Sequence, residues 1–209
     1  MAHSIAVSAK AALLVAALTL IAPPATAATL VGEVKVDGGK RLKNLVVYLE
    51  PADAKTAAAV KHQRVTQKGR RFNPRISVIV AGGNVTYVND EDQEIDHNVY
   101  SLSKTRKFDI GLASKGSKHT VEFTKPGVVK YYCSVHKNMD GIVVVVPSPY
   151  FAVLDKPGEF KLDGVPAGAW RLSAAITHRR YKAKPVALSI TGEQPASVEL
   201  RISRKRRKR

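Results

Sequence analysis

Val128-Val-Lys-Tyr-Tyr-Cys133-Ser-Val-His136-Lys-Asn-Met139-Asp-Gly-Ile-Val-Val-Val-Val146 reads as a strand, a tight loop and a second strand. The apolar runs on either side are short and rich in Val, Ile and Tyr, the residues that favour a pleated surface. Similar runs recur at Val46-Leu49, Ile76-Val80 and Val85-Val88. Turn residues separate them: Gly82-Gly83, Lys125-Pro126-Gly127 and Asp155-Lys156-Pro157-Gly158. Helical periodicity is scarce, so the expected class is all-β, built from half-buried sandwich strands.

Working outward, the N-terminus carries Lys10, an uncharged apolar run from Ala11 to Ile21, and Ala25-Thr26-Ala27. That order is expected of a secretory signal peptide over residues 1–27, since the run ends at Pro23-Pro24, short of the ~20 residues that span a bilayer. The expected location is periplasmic. A single cysteine, Cys133, closes no internal disulfide in an exported protein. It is an idle thiol, an intermolecular link or a chemically active residue.

A net charge of +17 points to acidic partners or surfaces. Six of the charges form the terminal run Arg204-Lys-Arg-Arg-Lys-Arg209, expected to be disordered and able to meet an anionic membrane or an acidic redox partner. A purely solubilising tail is an equal reading, and export disfavours nucleic acid. Residues 52–63 contain good helix formers in too short a stretch to stand alone and are read as linker. Pro147 and Pro149 mark a boundary after the valine run.

The loop Cys133-Ser-Val-His136-Lys-Asn-Met139 brings a thiolate, an imidazole and a thioether within seven residues. Soft sulfur ligands select copper, and two histidines, a cysteine and a weak axial methionine make up a blue-copper electron-transfer site. The missing histidine is assigned to His97, in Asp96-His97-Asn98-Val99-Tyr100, because His62, His119 and His178 lack a comparable context. Tetrahedral zinc also accepts such ligands. A Cys/His nucleophile pair fits less well, as nothing in the sequence supplies an oxyanion site.

At these residues the chain resembles the cupredoxins, over about residues 64–146, and its Cys-x2-His-x2-Met spacing is similar to that of the amicyanins. The resemblance includes Val85-Thr-Tyr-Val-Asn89-Asp90, His97-Asn98-Val99, Phe123-Thr-Lys-Pro-Gly127, Tyr131-Tyr-Cys133 and Met139-Asp-Gly-Ile-Val-Val144, in family order. It implies a Greek-key sandwich holding one copper ion through His97, Cys133, His136 and Met139. It also implies that Asn98 ties the ligand loops and donates its backbone amide to the Cys133 sulfur, that the edge of His136 is the electron port, and that Tyr132 offers a second route. Val135 and Lys137 stand where the relatives carry prolines that stiffen the loop.

Tyr150-Phe-Ala-Val-Leu-Asp-Lys-Pro-Gly158-Glu-Phe160-Lys-Leu162 and Val165-Pro-Ala-Gly168-Ala-Trp170-Arg-Leu172 resemble the carboxypeptidase regulatory-like, or transthyretin-like, sandwich. Leu30-Val-Gly32-Glu-Val34-Lys-Val36 and Leu45-Val-Val-Tyr-Leu49 resemble its first strands. The implied organisation is a signal peptide (1–27), the first part of this smaller sandwich (28–50), a linker (51–63), the copper domain (64–146), the second part of the sandwich (147–200) and a basic tail (201–209). Such pairs of modules resemble periplasmic proteins described as methylamine-utilisation-like.

The acidic run Asp90-Glu91-Asp92-Gln93-Glu94-Ile95-Asp96 lacks the sixth-position glycine and closing glutamate of a calcium loop and is expected to be solvated. The functional expectation is a non-enzymatic carrier of single electrons between exported redox partners, the partner presenting an acidic docking surface. Copper buffering or delivery through the same ligands is the alternative. A scaffold of two sandwiches is a third reading.

Overall fold

The computed structural model describes residues 27–39, 42–52, 62–191 and 196–205. The expected signal peptide, apart from Ala27, and most of the linker lie outside them. Among the described residues there is no α-helix, and strands account for the fold.

Nine strands between residues 62 and 146 form two facing sheets. They are β3 (His62–Lys68), β4 (Arg71–Asn73), β5 (Ile76–Val80), β6 (Gly83–Asn89), β7 (His97–Leu102), β8 (Lys107–Ala113), β9 (Lys118–Phe123), β10 (Gly127–Tyr132) and β11 (Asp140–Val146). One sheet has the order β4-β3-β6-β9 and the other β5-β11-β10-β7-β8. Between them lie Val65, Phe72, Ile79, Tyr87, Phe123, Tyr131 and Val143, all buried. Burying such side chains contributes about 1.5–3 kcal/mol each, as an upper estimate.

The remaining strands are β1 (Ala27–Val36), β2 (Leu45–Pro51), β12 (Phe151–Leu154), β13 (Glu159–Pro166), β14 (Gly168–Ile176), β15 (Tyr181–Ala183), β16 (Val186–Ile190) and β17 (Ala196–Arg204). They form the sheets β13-β1-β17-β15 and β12-β2-β14-β16. Segments from before and after strands β3 to β11 thus pair with one another: β1 with β13 and β17, β2 with β12 and β14. Leu30, Leu45, Leu49, Trp170, Leu172 and Leu200 fill their separate core. Arg201 to Arg204 lie inside β17, and the Lys205 amide donates to the Arg180 carbonyl. The basic run therefore starts on a sheet, and the expectation that disorder begins after Ser203 does not hold for Arg204 and Lys205.

The two sandwiches meet along an apolar seam. Val46 of β2 packs with Val78 and Val80 of β5 and with Ile142, Val144 and Val146 of β11. On β11 the alternate residues Val143 and Val145 face the core between the two sheets of β3 to β11 instead. Burial on both faces explains why this strand is an unbroken valine run. The half-buried expectation fails for β2, β5 and β11 for that reason.

Candidate metal centre

His97 opens β7, whose pairing with β8 is irregular between Asn98 and Tyr100, and the consecutive residues His97 and Asn98 are both buried. Cys133 follows the last residue of β10. Its amide donates to the Met139 carbonyl at 3.0 Å, which closes the ligand loop. Asn138, with φ +64, turns the chain back into β11, a conformation that asparagine tolerates better than most residues.

The loop and β7 converge. Cys133 Sγ lies 3.9 Å from His97 Nδ1 and 3.8 Å from His136 Nδ1. All three candidate ligand atoms fall within 4.8 Å of one another. With metal–nitrogen and metal–sulfur bonds near 2.0 and 2.3 Å, a planar three-ligand set requires nitrogen–sulfur separations of about 3.7 Å. The arrangement therefore fits a single small ion. Met139 is 2% exposed and packs in the core with Cys133.

His97 is fully buried and Cys133 is 7% exposed, whereas His136 is partly exposed. Burial, then the neighbouring His97 and Arg70, hold the His136 pKa below its usual value. A neutral imidazole is the form a metal requires. Asn98 joins the two ligand-bearing segments: its Oδ1 accepts from the Ser134 amide at 3.3 Å, and its Nδ2 donates to Asp109 Oδ1 at 2.7 Å and to the Gly111 carbonyl at 3.2 Å. Tyr132 is 38% exposed, and its ring lies 5.9 Å from that of Tyr100. Of the other histidines, His62 is hydrogen-bonded to Asn84 and His178 packs on Tyr181.

One functional residue escapes the sequence reading. Glu91, expected in a solvated acidic loop, is only 8% exposed. Its Oε1 accepts from His97 Nε2 at 2.8 Å and from the Arg70 amide at 2.9 Å, and its Oε2 from the Gly69 amide at 2.9 Å. Burial alone would raise its pKa, but the two amides and His97 outweigh that and hold it at about 2. An ionised carboxylate only accepts, so His97 Nε2 carries the proton and Nδ1 presents its lone pair towards Cys133. Nothing in the composition of the run distinguishes Glu91 from its exposed neighbours. Its inward turn comes from Asn89, which is buried and donates to the Ile95 and Ala113 carbonyls.

Residues 54–146 match the model of the copper binding proteins, plastocyanin/azurin family. No curated protein matches the sequence. Among solved structures, a purple cupredoxin from Nitrosopumilus maritimus is 26% identical at a TM-score of 0.36, covering 40% of this chain and 99% of its own. A copper-containing nitrite reductase from Thermus scotoductus is 25% identical at a TM-score of 0.39, covering 46% of this chain and 25% of its own. A reduced amicyanin variant is 21% identical at a TM-score of 0.37, covering 47% of this chain and 99% of its own. The family match spans β7, which opens with His97, and the loop between β10 and β11, which carries Cys133 and His136, and the three donors lie close enough to hold one metal ion. The match of residues 54–146 to the copper binding proteins of the plastocyanin/azurin family supports a cupredoxin domain in this part of the chain.

Proposed function

We propose that the protein is an exported mononuclear copper protein of the blue type that carries single electrons between redox partners and makes or breaks no bond in a substrate. The observation that carries this reading is the convergence of His97 Nδ1, Cys133 Sγ and His136 Nδ1 within 4.8 Å. Met139, next to Cys133 in the core, would be the fourth residue to hold the ion. Copper held there supplies a one-electron couple.

The chain's own contribution is rigidity. His97 is clamped by Glu91, Cys133 by the backbone bond to Met139, and the two segments by Asn98. Ligands fixed in this way move little between oxidation states, which keeps the cost of electron exchange low. The partly exposed edge of His136 is read as the port, with Tyr132 and its neighbour Tyr100 as a second route. Export rests on the pattern of residues 1–27, and the location is read as periplasmic. The strongly positive chain suits an acidic redox protein, and Arg204–Arg209 an anionic membrane surface. The second sandwich, with its own core and a seam against β5 and β11, is read as a carboxypeptidase regulatory-like scaffold, in a protein of the methylamine-utilisation-like kind.

The test is the visible spectrum of the cupric protein. An intense thiolate-to-copper band at one ion per chain, lost in Cys133→Ser, supports the reading; absence of the band, or its survival in that variant, overturns it. Reversible voltammetry with copper retained separates shuttling from delivery, in which the metal passes to an acceptor faster than the electron does.

A further inference from the structure

A groove opens beside the ligand loop, with the β3–β4 hairpin on one side and Lys137 to Asp140 on the other, and Met139 contributes to its lining. Five cationic side chains line it: Lys68, Arg70, Arg71, Arg75 and Lys137. Lys68 is neutralised by Asp92 at 2.8 Å and Arg75 by Asp140 at 2.5 Å. Arg70, Arg71 and Lys137 have no ion pair among the described residues, and all three are exposed.

The hairpin turn makes this charge placement specific. Gly69 and Arg70 have φ of +62 and +57, the two left-handed positions of a tight turn between the paired residues Lys68 and Arg71. Glycine or asparagine relieves such a position, whereas arginine must be held there. It is held by Glu91, which accepts from both turn amides and also from His97. A single buried carboxylate thus fixes both a metal ligand and the turn that carries Arg70.

We propose that this groove, with Arg70, Arg71 and Lys137 as its contacts, is where an acidic redox protein docks. The inference deepens the electron-carrier reading and rests on it. Uncompensated charges on a fixed hairpin steer an oppositely charged protein and raise its association rate by 10- to 1,000-fold, an effect that falls with ionic strength. A partner seated there lies against Lys137, one residue from His136, so the charges that attract it sit beside the edge read as the electron port.

The experiment uses the full copper-loaded chain and an acidic c-type cytochrome as probe, with second-order exchange rates followed by stopped flow across ionic strength. Arg70→Gly, Arg71→Gln and Lys137→Gln are combined in one variant, the glycine relieving the turn. Arg179→Gln, Lys182→Gln and Lys184→Gln are combined in a control that removes the same charge from exposed positions of the other sandwich. The groove variant is expected to lose about tenfold in rate at low salt, with a flatter salt dependence, and the control less than threefold. In the cuprous protein, the cytochrome is expected to shift the Gly69, Arg71 and Lys137 amide resonances, a readout that needs no electron transfer. Equal losses in the two variants, no salt dependence in the parent protein, or shifts confined to other surfaces overturns the proposal. So does loss of binding to anionic phospholipid vesicles in the groove variant with cytochrome exchange unchanged, which assigns the groove to a membrane. Absence of the blue band in the parent protein instead overturns the carrier reading itself.

Discussion

Glu91 Oε1 accepts the Nε2 proton of His97 at 2.8 Å, inside a pocket where His97 is fully buried. The contact sets the tautomer, the ring orientation and the basicity of Nδ1. Groups that orient a metal-bound histidine are worth about 10- to 100-fold in metal affinity. Glu91→Gln is therefore expected to weaken copper binding by that amount, measured by chelator competition, and Glu91→Ala to weaken it further. Removal of a buried negative charge also disfavours the cupric state, so both variants should show a raised reduction potential in voltammetry. Affinity and potential unchanged in both would remove Glu91 from the site's machinery.

Asn98 supplies the acceptor for the Ser134 amide and donates to Asp109 and the Gly111 carbonyl. Asn98→Ala removes three part-buried hydrogen bonds whose partners Ser134, Asp109 and Gly111 are exposed and can turn to water, a cost of about 0.5–1.5 kcal/mol per bond. Urea unfolding should show that loss, and copper should dissociate faster because the ligand loop is no longer pinned to β7. Asn98→Asp keeps the acceptor but not the donors, and is expected to preserve the slow copper release better than alanine.

How far these features could be read beforehand depends on whether local pattern or tertiary packing sets them. Cys133, His136 and Met139 fall within seven residues, so their proximity is a local matter, and His97 is tied to them by the cupredoxin-like order of motifs along the chain. Glu91 is different. Its burial depends on Asn89 gathering the Ile95 and Ala113 carbonyls and on the Gly69–Arg70 turn arriving from β3 and β4, partners as many as 24 residues apart in the chain. A run with four acidic neighbours gives no hint of which one turns inward. The seam was equally hidden, because a valine run buried on both faces has the same spelling as any apolar strand.

Gly141 shows how closely the core is filled. A methyl group there would fall within the van der Waals envelope of the Tyr131 ring. Tyr131 is fully buried, with its ring centroid 4.8 Å from that of Phe72 and 5.2 Å from that of Tyr87, and has no room to retreat. Gly141→Ala is expected to cost about 1–3 kcal/mol in overpacking, seen as a lower midpoint in chemical denaturation. Because Tyr131 is two residues from Cys133, the variant's blue band should shift as well. Gly69→Ala is the comparison: nothing lies within 4 Å of its added methyl, so its cost is limited to the strained turn.

Two reporters follow the two sandwiches separately. The only tryptophan, Trp170, is 5% exposed in the core formed by β1, β2 and β12 to β17, and the thiolate band reports Cys133 in the other sandwich. The seam side chains Val46, Val80, Val144 and Val146 are each 5% exposed or less, so separating the sandwiches would expose a continuous apolar strip. The parent copper protein is expected to lose tryptophan fluorescence character and blue absorption in a single coincident transition. Val46→Asp places a carboxylate in that strip from the β2 side and leaves every copper-domain residue unchanged. Its desolvation favours separation of the faces by several kcal/mol, so the Trp170 transition should move to lower denaturant while the band persists. Val46→Ala, which removes area without adding charge, should shift both transitions together by a smaller amount. Coincident transitions in the aspartate variant would mean that the sandwiches are coupled by something other than the seam.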